Sequence, residues 1–151
     1  MFKPKLEVPD FEYCKRLREL GYPQDGGDWY WVKLVTWNKP RLIYPGDGFD
    51  ELVDLSEKEF FVKGPTIGEL VEWLPSNIKE DYLISYYFRI ERTDEEWFCK
   101  YERLSYDEPV ILVLFSDIKL SNALAKMLIW LIKNGYVRFE DERMYKNFEK
   151  S

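Results

Sequence analysis

Histidine is missing altogether from this chain of 151 residues. Without an imidazole there is no Ser-His-Asp triad, no Cys-His pair and no HExxH zinc site. Cysteine is nearly missing as well. Cys14 and Cys99 are the only two, too few for a Cys-rich zinc site. Both read as reduced, buried residues, because free cysteine is among the most buried types and neither has a neighbouring base to activate it. A disulfide between them would be unusual in a protein of this kind. Glycine-rich phosphate loops are lacking too. Neither GxGxxG nor GxxxxGK[ST] occurs, and Gly46-Asp47-Gly48 has no suitable third glycine. No apolar run approaches the roughly 20 residues a bilayer requires, and Met127 to Ile132 is already one of the longest. The N-terminal MFKPKLEVPD is broken by two prolines and has no apolar h-region, so no secretory signal is expected. A cytoplasmic protein with no cofactor and no membrane partner is the resulting expectation.

Positive charge is also in short supply. Twenty-two Lys and Arg face 28 Asp and Glu, for a net charge of −6 and a pI near 4.9. That balance disfavours non-specific binding to nucleic acid or anionic membrane, which needs positive potential. Aromatic side chains, by contrast, reach 18%. Rings on this scale favour strands and thick packing layers, and they offer stacking platforms where exposed.

The pattern along the chain predicts one α+β domain over 1–151. It consists of a mostly antiparallel sheet of four to five strands packed against two to four helices. Residues 138–151 read as a weak terminal helix or mobile tail. Pro9 to Leu20 carries a helical period with Phe11, Cys14, Leu17 and Leu20 on one side, and Gly21 ends it. Asp25-Gly26-Gly27-Asp28 is a turn. Asp28 to Trp37 alternates as a strand, and Arg41 to Tyr44 reads as its hairpin partner. Phe49 to Lys63 is ambiguous, with a helical turn at Leu52, Val53 and Leu55 or a short strand from Glu59 to Val62. Thr66 and Glu69 make a capping-box pattern ahead of a helix that Pro75 stops. Asp81 to Glu91 and Glu96 to Leu104 form an aromatic hairpin. The apolar run Val110 to Phe115 reads as a central strand. A long, greasy helix follows from Ser121, read as its N-cap, and Asn134-Gly135 closes it.

Within that helix, Leu124, Met127, Leu128 and Leu131 share one face, and Asn122, Lys126 and Lys133 form a polar stripe opposite. Ile129 falls inside the stripe and Trp130 at its edge. Two readings stay open. Another element of the chain covers them, or they belong to an interface with a second copy or another protein.

Other constellations point to different chemistry. Trp29, Trp31 and Trp37 are placed by alternation on one strand face with Lys33, a surface that would stack bases or a sugar. Packing against a helix layer is the plainer alternative. Asp47, Asp50, Glu51 and Asp54 are the densest carboxylate group and supply the oxygen ligands that Ca²⁺ or Mg²⁺ prefer. They do not follow the EF-hand order, and a solvated acidic turn explains them more simply.

The segments PTIGELVEWLP (Pro65 to Pro75) and ALAKMLIWLIKNGY (Ala123 to Tyr136) resemble a pattern in small bacterial proteins, many of them phage- or prophage-associated. In those proteins an amphipathic helix with a WLP-like stop precedes an aromatic hairpin and a closing helix. The resemblance implies an accessory protein of mobile DNA and carries no catalytic residues. The sequence therefore predicts a non-enzymatic interaction module binding a protein partner or itself through Trp130 and Ile129, then Trp29, Trp31 and Trp37. A carboxylate- and metal-dependent enzyme, using Asp47, Asp50 and Glu51, is the first alternative. Single-stranded nucleic-acid binding on the tryptophan face is the second.

Overall fold

The computed structural model describes residues 3–44, 58–105 and 107–139. Among them lie four helices and seven strands: α1 (Pro4–Glu7), α2 (Phe11–Glu19), β1 (Tyr30–Leu34), β2 (Arg41–Ile43), β3 (Lys58–Lys63), α3 (Ile67–Trp73), β4 (Asn77–Lys79), β5 (Ser85–Arg92), β6 (Trp97–Arg103), β7 (Val110–Asp117) and α4 (Leu120–Lys133). The fold is α+β, and every strand pairing in it is antiparallel. The strands form two sheets rather than one, ordered β2-β1-β3 and β4-β5-β6-β7.

Helix ends follow the local chemistry of the sequence. Gly21, at φ +101°, takes the left-handed conformation that side chains resist. This lets Gly21 N–H reach Arg18 O at 3.0 Å and Tyr22 N–H reach Leu17 O at 2.9 Å, a Schellman stop. Gly135 repeats the device, with Tyr136 N–H on Leu131 O at 2.9 Å. Thr66 and Glu69 close their capping box at the start of α3. Ser121 does not cap α4, whose N-cap is Lys119. Its hydroxyl donates instead to Leu6 O at 2.9 Å.

The main core lies between the four-stranded sheet and α3 and α4, with Leu17 and Tyr22 entering from the α2 side. On α4, Leu124, Met127, Leu128 and Leu131 are fully buried, together worth ~6–12 kcal/mol of transfer free energy before ordering entropy opposes it. Phe139 seals one end, its ring 4.9 Å from Trp73 and 5.1 Å from Tyr22. The expected terminal helix is described only to that residue.

Two of the sequence expectations change here. The Val110–Phe115 run is a strand, but it forms the sheet's edge, with Ile111 47% and Leu114 41% exposed. A solid apolar run suggests cover on both faces, yet one extra residue in β7, Leu112 opposite the Tyr101/Glu102 step, shifts the register. The bulge leaves Ile111 and Leu114 together on the outer face. On α4, Asn122 is 3% exposed rather than part of a solvated stripe, because it serves the polar latch described next.

Candidate functional site

The linker between α1 and α2 is held against the start of α4 by side chains far apart in sequence. Asp10 N–H donates to Asn122 Oδ1 at 2.8 Å, and Asn122 Nδ2 returns a bond to Asp10 Oδ2 at 3.0 Å. Lys119 Nζ lies 2.6 Å from Asp10 Oδ1. Asp117 joins the same cluster, accepting from Lys119 N–H at 2.9 Å and pairing with Lys126 at 3.0 Å. Burial alone would raise the Asp117 carboxyl, but the bonds from Lys119 N–H, Lys126 and Asn122 hold it below its ordinary value. Lys126 is the mirror case: burial disfavours its charge, but the bond to Asp117 raises its pKa.

This latch fixes a second layer. Pro9 O accepts from Trp31 Nε1 at 3.0 Å and from Cys14 Sγ at 3.3 Å. Val8, Cys14 and Val62 form a small buried cluster with Phe11, Trp29, Trp31 and Leu42 around it. Gly64 permits the approach, since a Cβ there would lie 2.6 Å from Val8 Cγ1. Where the two layers meet, a groove of about 840 Å³ opens, with α1 and the β1–β2 connector both contributing to its lining. Trp29, Trp31, Leu6 and Leu42 supply its apolar surface. Four basic side chains border it, Lys3, Lys5, Lys39 and Lys119, against the single carboxylate of Asp10, which Lys119 already neutralises; Arg41 also lines it, but pairs with Val32 and carries its guanidinium to the other face of the hairpin.

The three tryptophans expected on one face divide. Strand β1 ends at Leu34, and a turn follows in which Trp37 N–H bonds Leu34 O at 2.9 Å. The chain reversal rotates Trp37 to the opposite face, where it packs with Tyr30, Val32 and Leu34 and lies 4.2 Å beneath the Arg41 guanidinium. Strand β1 is thus packed on both faces. Lys33, half-buried, does not line the groove. The groove's cations come instead from Lys3, Lys5, Lys39 and Lys119. Of these, Lys39 was within reach of sequence reasoning, since it lies in the connector of the hairpin in which Leu42 pairs with Trp31. Lys119 carried no signal at all.

Ile129 and Trp130 are half-buried. They line a separate cleft of about 470 Å³ with Tyr13, Phe115, Lys126 and Lys133. Trp130 stacks on Tyr136, centroids 5.6 Å apart. The carboxylates Asp47, Asp50, Glu51 and Asp54 lie outside the described residues. Among the described residues, no group of three or more His, Cys, Asp or Glu side chains is placed to hold a metal ion. Both cysteines are free. Burial pushes each thiol up to about 12, so at neutral pH they are protonated donors to Pro9 O and Ala123 O rather than nucleophiles. No described helix is long and apolar enough to cross a membrane. No protein-family model, curated protein or solved structure matches this chain.

Proposed function

We propose that the protein is a non-enzymatic interaction module that takes an anionic partner in the groove between α1 and the β1–β2 hairpin. One observation carries this reading: a chain of net charge −6 gathers four basic side chains around one indole-lined hollow. Scattered surface lysines need no explanation, but a local reversal of the overall sign concentrates positive potential where a ligand would dock. The latch supports it further, because Asp10 and Asn122 hold the α1 wall against α4. An accessory role in mobile DNA, implied by the Pro65–Pro75 and Ala123–Tyr136 resemblance, belongs to the same proposal. The test is calorimetric titration with inorganic polyphosphate at low and moderate salt, for wild type and for the exposed-surface variant K5Q/K39Q. Binding that weakens with salt and falls several-fold in the variant supports the module. No heat at low salt, or equal binding by the variant, overturns it.

A second reading keeps Trp130 and Ile129 as an interface. It rests on the edge of β7, which pairs with no second strand among the described residues, where Phe115 lines a cleft with Ile129 and Trp130 and exposed Ile111 and Leu114 share the other face. Long apolar edges invite another strand. Antiparallel pairing with a second copy about a two-fold axis between Leu112 and Val113 would set Ile111 against Leu114 of that copy. Lys126, bonded to Ser116 O at 2.9 Å, closes only the far end. Sedimentation of wild type, I111K/L114K and W130A decides it. A wild-type dimer that the lysine pair splits supports the interface. A monomeric wild type ends it.

A further inference from the structure

We infer that the partner of the groove is a single-stranded nucleic acid, with a base laid against the Trp31 indole and its phosphates on the surrounding ammonium groups. The inference rests on the anion-binding reading above and names its ligand.

The argument starts from what each wall has left to offer. Trp31 spends its only hydrogen-bond donor on Pro9 O, and Phe11 meets its ring edge-on at 6.2 Å and 71°. With its N–H spent, what the side chain offers the groove is apolar ring, which suits a flat apolar group better than a polar one. Leu6, Pro4, Pro40 and Leu42 extend that apolar surface. The cations stand around it: Lys3, Lys5 and Lys39 are exposed, and Lys119 is engaged with Asp10. A ligand that satisfies both parts carries regularly spaced negative charge and planar rings that are free to leave their own stack. Single strands meet this description. In a duplex the ring faces are already stacked on one another, and only phosphates reach the surface. An acidic peptide supplies the charge but gives the indole face nothing planar.

The charge count sets a quantitative expectation. Three exposed cations neutralising three phosphates give a log–log salt dependence with slope of about −2, at ~0.7 per phosphate for single strands. Removing two of them lowers it to about −0.7.

The experiment titrates labelled oligothymidylate into the full chain across a salt series, following anisotropy and tryptophan quenching. Polyphosphate, polyglutamate and a DNA duplex of matched charge run beside it. Expected are quenching on binding, a slope near −2 that falls to about a third of that in K5Q/K39Q, and at least ten-fold tighter binding of the single strand than of duplex or polyglutamate. Trp31→Ala, checked for folding by circular dichroism, loses about ten-fold or more. If it fails to fold, Trp31→Phe keeps a ring face and retains most of the affinity, and the loss of quenching in that variant reports the contact. Polyphosphate binding with no preference for the oligonucleotide, and no quenching, overturns this inference and leaves the anion module standing. Failure of both ligands overturns the two together.

Discussion

Lys63 is 7% exposed at its side chain, and its ammonium lies 3.0 Å from Glu69 Oε2, which is 31% exposed. Its other partners are weaker: Asp25 O at 3.3 Å and the Tyr22 ring at 5.6 Å. Glu69 divides its work, because Oε1 accepts from Thr66 N–H at 3.1 Å in the capping box and Oε2 holds the lysine. Glu69→Gln therefore keeps the cap and removes only the countercharge. The stranded ammonium cannot reach bulk water, and breaking such a pair from one side costs about 3–5 kcal/mol. Glu69 is a third exposed and water follows its loss, so the low end, ~3 kcal/mol, applies. Lys63→Met removes the charge that needed the partner and leaves Glu69 to turn outward, at ~1 kcal/mol. The double variant should also lie near ~1 kcal/mol, a coupling of about 2–3 kcal/mol. With a urea m-value of roughly 2 kcal/mol/M, the unfolding midpoint drops by ~1.5 M in E69Q but only ~0.5 M in K63M and in the pair. The assay is urea unfolding at pH 7 by circular dichroism and tryptophan fluorescence. Equal costs for the two single variants, or an additive double, would refute the argument that burial makes the loss asymmetric.

Three further outcomes are expected. The Asp117 carboxyl sits below its ordinary value in the fold, so its contribution is complete above about pH 4 and is lost as pH falls through the folded value; acid unfolding of D117N should show a shallower dependence on pH below 4 than wild type. Both thiols, raised to about 12 by burial, should ignore a thiol reagent at pH 8 until the protein unfolds, and rapid labelling of the native chain would contradict their placement. Gly64→Ala, whose Cβ meets Val8 Cγ1 at 2.6 Å, should cost about 1–3 kcal/mol by overpacking, and adding Val8→Ala should recover part of that loss; additive costs would place the clash elsewhere.

Much of the fold could be read from the residues. Gly21 and Gly135 each mark a helix end whose bonds demand a left-handed residue. Thr66 and Glu69 announce α3, and the hairpins follow from alternation. These are local rules, and they act over a few residues. What stayed hidden is non-local. Nothing in VILVLF says whether a neighbour strand lies on one side or two, and the bulge at Leu112 turns an apparently double-faced pattern into a one-sided edge. Ser121 looks like a cap by type, but Leu6 O claims its hydroxyl. The groove was half legible. Trp29 and Trp31 were picked for their rings, but Trp37 was misassigned because alternation was carried past the end of β1 at Leu34. The cations that surround those rings come from three separate stretches of chain, which only the fold brings together.

Asp10 meets Asn122 across 112 positions. On a ribosome, residues 3–10 emerge ahead of every described strand, but the groups that pin them are translated only after those strands have appeared. The α1 wall is therefore made before the sheets and set in place after them, and truncated chains ending before Asn122 would carry Trp29 and Trp31 without a stable hollow to hold them.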